Sequence, residues 1–309
     1  MAATHPHHRP LTIAISGSSG LVGTALCQYF LKKNYQVKRL VRQHPRRDSS
    51  KEIYWNPDSG HIESQSLENC DVVIHLAGEN IAHKRWSSSQ KNLIRQSRIK
   101  STHFLSQTLA KLKRPPRLFI SASAIGFYGS RDDENLTEDS APGIGFLSEI
   151  CREWEHATHV AERAGIRVVH LRTGMVLSKE AGVLRTLLQT FSRGLGCVLG
   201  SGNQYVSWIS ITDVAHAIEH LFSQNSLEGP VNLVAPEPVT QRHLCETLSH
   251  TIGKPIRFSI PAWLLKLFLG QAGSELLLSS CKAYPARLLK TGFHFTHPTV
   301  EKALPELLK

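Results

Sequence analysis

Short runs of apolar residues alternate with longer amphipathic segments through the first two-thirds of the chain. The short runs predict strands, and the segments between them carry apolar residues at helical spacing. Predicted strands lie at 12–16, 37–42, 53–55, 71–78, 117–121 and 167–171, and predicted helices follow the first strand and occupy 90–112 and 145–164. This alternation predicts a doubly wound α/β fold, in which helices cover both faces of a parallel sheet and ligands bind at the carboxyl ends of the strands.

The last third of the chain has a different pattern. Its predicted elements are a glycine-rich loop at 194–202, a strand at 208–211, a helix at 213–222 that Thr212 caps, a strand at 231–234, a helix at 241–252, a strand at 256–260 and further helices. Prolines at 236 and 238 interrupt this series. We therefore expect a smaller α/β segment to begin there.

A glycine turn follows the first predicted strand. Its sequence is Gly17-Ser18-Ser19-Gly20-Leu21-Val22-Gly23, and an amphipathic helix comes directly after it. In a phosphate-binding turn of this kind, Gly17 permits the tight turn, Gly20 lets the backbone approach a pyrophosphate, and Gly23 lets the helix pack against the sheet. The helix N-terminus then faces the anion with free N–H groups. The segment therefore predicts dinucleotide binding.

These observations divide the chain into three expected parts. Residues 1–10 are polar and rich in histidine, which predicts a disordered tail. Residues 11–235 are expected to form a Rossmann-like dinucleotide-binding domain. Residues 236–309 are expected to form a small C-terminal domain on the substrate side.

The end of the second predicted strand indicates which cofactor binds. An NAD-selective site has a carboxylate there for the ribose 2′-hydroxyl. In this chain Val41 occupies that position, and Arg42, Arg46 and Arg47 follow. Arginine binds a phosphate through a bidentate fork, so the pattern favours NADP(H), with a solvated basic loop as the alternative.

Composition excludes several classes of protein. No segment reaches the apolar length of a membrane span, and the N-terminus lacks the apolar core of a secretory signal. Six cysteines without a C-x-x-C pair predict reduced thiols in the cytoplasm. No metal is expected, because the 17 histidines show no ligand spacing. The net charge of +11 is spread along the chain, so no nucleic-acid partner is expected.

Together these segments resemble the short-chain dehydrogenase/reductase superfamily in its extended, epimerase-like form. The closer resemblance is to an atypical branch named NAD-dependent epimerase/dehydratase family protein, some members of which carry a cell-division-inhibitor label. The motifs that carry it are HLAGENIA at 75–82, Arg85-Trp86, Ser97-Arg98, SAIGFYG at 123–129, CREWE at 151–155, LRTG at 171–174, GSG at 200–202 and KAYPARL at 282–288. The last of these resembles the branch's short C-terminal domain of unknown function.

The resemblance implies roles for two groups of residues. Leu76, Ala77, Gly78 and Glu79 would line the path of the cofactor, where small residues leave it room, and Ser121 would also contact the cofactor. Ser123 would hydrogen-bond the substrate at the end of its strand. The alternative for Ser123 is an ordinary serine at a strand end.

The chain departs from the superfamily at the catalytic pair. The superfamily uses Tyr-x-x-x-Lys, in which tyrosine transfers a proton and lysine lowers its pKa. The matching positions here are Phe146 and Ile150, which have neither a proton nor a charge to offer. Tyr128 is the substitute that the sequence offers, and packing of its ring is an equal alternative.

Two functions remain open at this stage. The first is an NADP-dependent oxidoreductase or epimerase that acts on a small molecule through Ser123 and Tyr128. The second is a catalytically silent, NADP-binding regulatory protein, linked to cell division through the family label. A homodimer is expected in either case.

Overall fold

The computed structural model describes residues 9–43, 51–82 and 84–309. Most of the predicted disordered tail, and both Arg46 and Arg47, lie outside the described residues. The strands of the described part are β1 (Thr12–Ser16), β2 (Gln36–Val41), β3 (Glu52–Asn56), β4 (His61–Ile62), β5 (Val72–His75), β6 (Leu118–Ala124), β7 (Asn135–Leu136), β8 (Arg167–Thr173), β9 (Met175–Leu177), β10 (Gly196–Leu199), β11 (Tyr205–Val206), β12 (Trp208–Ser210), β13 (Gly229–Leu233), β14 (Val239–Thr240), β15 (Ile256–Ile260) and β16 (Lys282–Ala283).

The helices are α1 (Leu21–Lys32), α2 (Ser88–Ala110), α3 (Phe146–His156), α4 (His159–Arg163), α5 (Gly182–Ser192), α6 (Ile211–Leu221), α7 (Gln241–Ile252), α8 (Ala262–Leu269), α9 (Ala286–Lys290) and α10 (Val300–Leu307). Short 3-10 turns lie at Ser64–Leu67 and Ile125–Tyr128, and a π-helical turn lies at Gly273–Leu277. No helix in the described ranges is long and apolar enough to cross a membrane.

A large sheet forms the centre of the molecule. Its order among the described strands is β13-β8-β6-β5-β1-β2-β3-β4. Every neighbouring pair is parallel except β3 with β4, which is antiparallel. The chain runs outwards from β1 in both directions, so the strand order reverses between β1 and β5. The predicted doubly wound parallel sheet is confirmed, and its ligand crevice is expected at that reversal.

Helices cover both faces of this sheet because its central strands alternate between two cores. In β1, Ile13 and Ile15 belong to one hydrophobic cluster, which contains Leu26 of α1 and Ile218 of α6. Ala14 belongs to the cluster on the other face, with residues of α2 and α4. Successive side chains of a strand point to opposite faces, so a strand buried on both sides is apolar throughout.

A third hydrophobic cluster lies outside the sheet and joins segments on both sides of residue 235. It includes Leu184 of α5, Val198 of β10, Leu248 of α7 and Leu304 of α10. Strand pairing also crosses this position, because β10 pairs with β15 and β11 pairs with β14. The domain division at 235 stays a prediction, and the last third of the chain packs on residues that precede it.

Three local predictions need correction. The glycine-rich segment 194–202 is not only a loop, because it contains β10. Gly196 permits the pairing with β15, since a Cβ there would lie 2.8 Å from the carbonyl oxygen of Pro255. The helix predicted over 145–164 is two helices, α3 and α4. Near the break between them, the Thr158 hydroxyl donates to the Glu155 carbonyl at 2.7 Å.

The predicted cap of α6 is also wrong by two residues. Strand β12 leads into this helix without a loop, so Ser210 rather than Thr212 is the N-cap. The Ser210 hydroxyl oxygen accepts a hydrogen bond from the Asp213 N–H at 3.0 Å. We predict that Ser210→Ala lowers the free energy of unfolding by about 1–2 kcal/mol, the usual cost of losing such a cap. Thr212→Ala is the matched control and is expected to change it by less than about 0.5 kcal/mol in chemical denaturation. Equal effects of the two substitutions would contradict the assignment.

Candidate functional site

The glycine turn lies where β1 meets α1, beside the end of β5. Gly17 has a φ of 66°, and a Cβ there would lie 2.8 Å from the backbone carbonyl of Leu76. A Cβ at Gly23 would overlap the carbonyl group of Gly17 and lie 2.8 Å from its carbon. Both positions therefore require glycine for packing. At Gly20 the nearest atom to an added Cβ is the Gly17 oxygen, at 3.4 Å, so this glycine leaves open space beside the backbone.

A cleft of 670 Å³ opens in front of this turn. Such a volume is typical of pockets for small ligands and cofactors. Its lining includes nine residues that were selected from the sequence: Gly17, Ser18, Ser19, Gly20, Arg42, Leu76, Ala77, Gly78 and Glu79. Leu21, Val22 and Gly23 are not among the lining residues and form the first turn of α1.

The N-terminus of α1 has the features that favour binding of an anion. Its N-cap is Gly20, which has no side chain to accept a hydrogen bond, and its first turn contains no acidic residue. The first backbone N–H groups of a helix have no partner within the helix. Together with the helix dipole, these groups favour a phosphate at this end.

A buried histidine connects three of the elements that surround the cleft. His75, at the end of β5, has its Nδ1 2.6 Å from the Ser16 hydroxyl and its Nε2 3.2 Å from the Ser101 hydroxyl. Burial lowers the pKa of His75 to about 3, so its imidazole is neutral at physiological pH. The ring thus connects β1, β5 and α2 as a structural group. His75 is the first residue of the HLAGENIA motif, from which no role for it was predicted.

Helix α2 fixes the loop that follows β5. The Ser97 hydroxyl oxygen accepts from the Glu79 N–H at 3.0 Å, and Arg98 donates to the Glu79 carbonyl at 2.9 Å. A Cβ at Gly78 would lie 3.3 Å from the guanidinium carbon of Arg98. Gly78 therefore gives the arginine room to reach the loop. The Ser97-Arg98 motif was recognised in the sequence, but its spacing did not predict that both residues bind the backbone of Glu79.

Two cations that the sequence analysis missed join Arg42 on the cleft wall. Arg39 lies on β2 and forms an ion pair with Glu52 of β3. Lys100 lies on α2 and donates to the Asp58 carbonyl at 3.3 Å. All three cations line the cleft. Lys100 is distant in sequence, so only the packing of α2 brings it here.

Ser121 and Ser123 lie on β6, and both are buried. Neither serine is among the residues that line the cleft, and Ser121 pairs in register with His75 of β5, one residue before Leu76. The Ser123 hydroxyl donates to Glu155 Oε1 at 2.7 Å. The same carboxylate accepts two hydrogen bonds from Arg172, each 2.9 Å long. Glu155 was not selected as a site residue, because only the packing of α3 on β6 places it beside Ser123.

Tyr128 has a fully buried ring and hydroxyl. Its hydroxyl donates to Asn232 Oδ1 at 2.7 Å and accepts from Arg172 Nη1 at 3.0 Å. Burial raises the pKa of Tyr128 to about 12. The hydroxyl therefore donates to one protein group and accepts from another. These bonds favour the alternative in which the Tyr128 ring has a packing role.

Phe146 and Ile150 lie on α3 within an apolar cluster. Other members are Trp86, whose ring centroid is 5.1 Å from that of Phe146, and Ala272 and Leu276 of the C-terminal segment. Glu275, between these last two, accepts hydrogen bonds from the N–H groups of Phe146 and Leu147 at 3.1 and 2.9 Å. The face of α3 that carries Phe146 and Ile150, the positions matched to the catalytic pair in the sequence analysis, therefore packs against other parts of the protein.

The sheet, the glycine turn and the cleft define a Rossmann-like nucleotide-binding protein of the short-chain dehydrogenase/reductase type. Residues 13–233 match the model of the NAD dependent epimerase/dehydratase family, and residues 260–307 match a domain of unknown function (DUF1731). The chain belongs to the NAD-dependent epimerase/dehydratase family.

Relatives and solved structures agree with this assignment. An epimerase family protein of Mycobacterium leprae is 40% identical over 296 residues, which cover 96% of this chain and 95% of that protein. A crystal structure of a human epimerase family protein with NADPH has a TM-score of 0.87 and 28% identity, and covers 96% of this chain and 99% of that one. A nucleoside-diphosphate sugar epimerase from Corynebacterium glutamicum has a TM-score of 0.79 and 36% identity, and covers 97% of this chain and 58% of that one.

The three glycines provide a test of the site that separates binding from folding. We predict that Gly20→Val leaves the fold intact, because no backbone atom lies closer than 3.4 Å to its Cβ, but raises the Kd for NADPH at least about 100-fold by filling the open space. Gly23→Val is the contrasting variant and is expected to prevent folding. Fluorescence titration and thermal unfolding measure the two effects. Unchanged NADPH affinity in Gly20→Val would remove the turn from the cofactor site.

Proposed function

We propose that this protein binds NADP(H) and uses it in an epimerase- or reductase-type reaction on a small molecule. The observation that carries the proposal is the cleft, whose lining combines the glycine turn at the α1 N-terminus with basic side chains. Bound nicotinamide supplies or accepts a hydride in such reactions. The chain itself would bind the cofactor, orient it and move a proton.

The preference for a 2′-phosphate rests on the residues around the end of β2. Val41 stands where an NAD-selective chain has a carboxylate, and Arg42 follows it. Arg39 and Lys100 add positive charge to the lining of the same cleft. A guanidinium binds a phosphate with two parallel hydrogen bonds, so Arg42 is the proposed ligand of the 2′-phosphate. The NADPH in the human relative's crystal structure supports this choice.

Proton transfer would run through Ser123 in place of a tyrosine. Its hydroxyl already donates to Glu155, whose position Arg172 holds with two hydrogen bonds. When a substrate alcohol is oxidised, the Ser123 oxygen would take the proton of the substrate hydroxyl while the serine proton passes to the Glu155 carboxylate, and in the reduction both protons would move back. We therefore propose Ser123 as the group that contacts substrate and Glu155 as the residue that positions it.

A second function is favoured by one observation. Ala272 and Leu276 cover the face of α3 that carries Phe146 and Ile150. This packing is compatible with a protein that no longer catalyses a reaction, because such a protein must bind the dinucleotide but needs no access for a substrate. An NADP(H)-binding regulatory protein without turnover is therefore the alternative.

Removing Arg42 tests the cofactor preference. We predict that Arg42→Ala raises the Kd for NADPH about 5- to 150-fold, which corresponds to the 1–3 kcal/mol of a hydrogen bond to a charged group. The Kd for NADH is expected to stay the same, because NADH lacks the 2′-phosphate. Arg193→Ala, which removes an exposed arginine on another element, is the control. Equal affinity of the unmodified protein for NADPH and NADH would refute the preference.

Two conservative variants test the chemistry. We expect little or no oxidation of NADPH with ordinary short-chain dehydrogenase substrates, because the tyrosine–lysine pair is absent. On any carbonyl compound that is turned over, Ser123→Ala is predicted to lower the rate about 100- to 10,000-fold. Tyr128→Phe is predicted to keep the rate within about threefold but to lower the free energy of unfolding by about 1–3 kcal/mol, since two buried partners lose a hydrogen bond.

The outcomes of this experiment separate the two functions. Turnover that depends on Ser123 supports the enzyme. Absence of turnover across a broad panel of carbonyl compounds, with NADPH still bound, favours the regulatory alternative. A Tyr128→Phe variant that is stable and inactive would make Tyr128, and not Ser123, the proton donor.

A further inference from the structure

Helix α8 exposes four large apolar side chains to solvent, namely Trp263, Leu267, Phe268 and Leu269. Trp263, Leu267 and Phe268 are 65%, 61% and 66% exposed, and Leu265 is the one buried residue of the helix. Helices that are apolar all round are normally enclosed by protein or lipid. An exposed apolar patch of this kind indicates a surface that something else covers.

The segments before and after α8 hold the helix in this position. Its C-terminal end turns back, so that the backbone at Gly273 lies close to the carbonyl of Leu265; a Cβ at Gly273 would be 2.7 Å from that oxygen. Immediately before α8, strand β15 exposes Phe258 at 45% and pairs on one side only, with β10, among the described strands. The helix is thus fixed from below by 270–278, and its outer sides are open.

The segment that carries this apolar surface is positively charged, and Glu275, which follows it in sequence, is bonded to the N–H groups of Phe146 and Leu147. Residues 247–274 contain Lys254, Arg257 and Lys266 but no aspartate or glutamate. All three cations are exposed. The whole chain carries a net charge of +11, so the long-range field of the molecule has the same sign.

We propose that α8 and the adjoining end of β15 form a docking surface for an anionic lipid bilayer. Trp, Phe and Leu on a short helix, together with basic residues, are the side chains that lie at the boundary of headgroups and acyl chains. The helix has 8 residues, far fewer than the roughly 20 needed to span a bilayer, so it would lie in the plane of the interface.

Charge decides between lipid and the other occupants of this surface. A second copy of the chain would bring two cationic surfaces together, which disfavours self-association through α8. A bilayer with anionic headgroups supplies both the apolar interior and the opposite charge. The sequence analysis expected no membrane partner because no segment can span a bilayer; binding at the surface does not need such a segment.

Vesicle sedimentation with the full-length protein tests the proposal. We expect binding to vesicles that contain phosphatidylglycerol, weaker binding to pure phosphatidylcholine vesicles, and loss of binding as salt is raised. The double variant Trp263→Gln/Phe268→Gln is expected to lower the partition coefficient at least about tenfold, because it removes the two largest exposed rings. Leu31→Gln, which removes an exposed leucine from α1, is the matched control and is expected to bind like the unmodified protein.

NADPH titration of each variant verifies that the cofactor site is intact, since α8 contributes no residue to the cleft lining. The proposal is overturned if the unmodified protein does not bind anionic vesicles at low salt, or if the double variant binds them as well as Leu31→Gln does. It is also overturned if analytical ultracentrifugation shows a dimer that the double variant dissociates, because the surface is then an interface between copies.

Discussion

The close approach of three backbone segments at the reversal of the strand order determines the rest of the structure. Gly17 lies against the backbone of Leu76 and Ala77, and Gly23 lies against Gly17, so neither position has room for a Cβ. This packing places the N-terminus of α1 beside the end of β5. The free N–H groups of that helix end are thereby placed next to the residues that follow β5, where they favour a phosphate.

The fold could be predicted from the sequence wherever local pattern and packing agree. Strand β1, helix α7 and strand β15 have the predicted bounds, because their apolar periodicity and flanking residues all favour one structure. Pattern failed at β10, where glycines that indicate a loop instead allow two strands to approach closely. It also failed at the cap of α6, because a strand that continues directly into a helix leaves no loop to mark the boundary.

The candidate site could be predicted only in its local parts. The glycine turn is one continuous stretch of sequence and the residues after β5 are another. Residues of both stretches line one cleft in the structure. Lys100, Glu155 and Glu275 are long-range partners, for which no spacing rule exists. Tyr128 is a residue for which the sequence predicted too much. Its hydroxyl suggested a proton donor, whereas its burial and its hydrogen bonds to Asn232 and Arg172 favour a packing role.

The central claim is that the cleft recognises a dinucleotide with a 2′-phosphate. Calorimetric titration with adenosine 2′,5′-diphosphate and with 5′-AMP tests it most directly, because the two ligands differ only in that phosphate. We predict that the diphosphate binds at least about tenfold more tightly and that the difference shrinks as salt is raised. Equal affinities, or tighter binding of 5′-AMP, would contradict it.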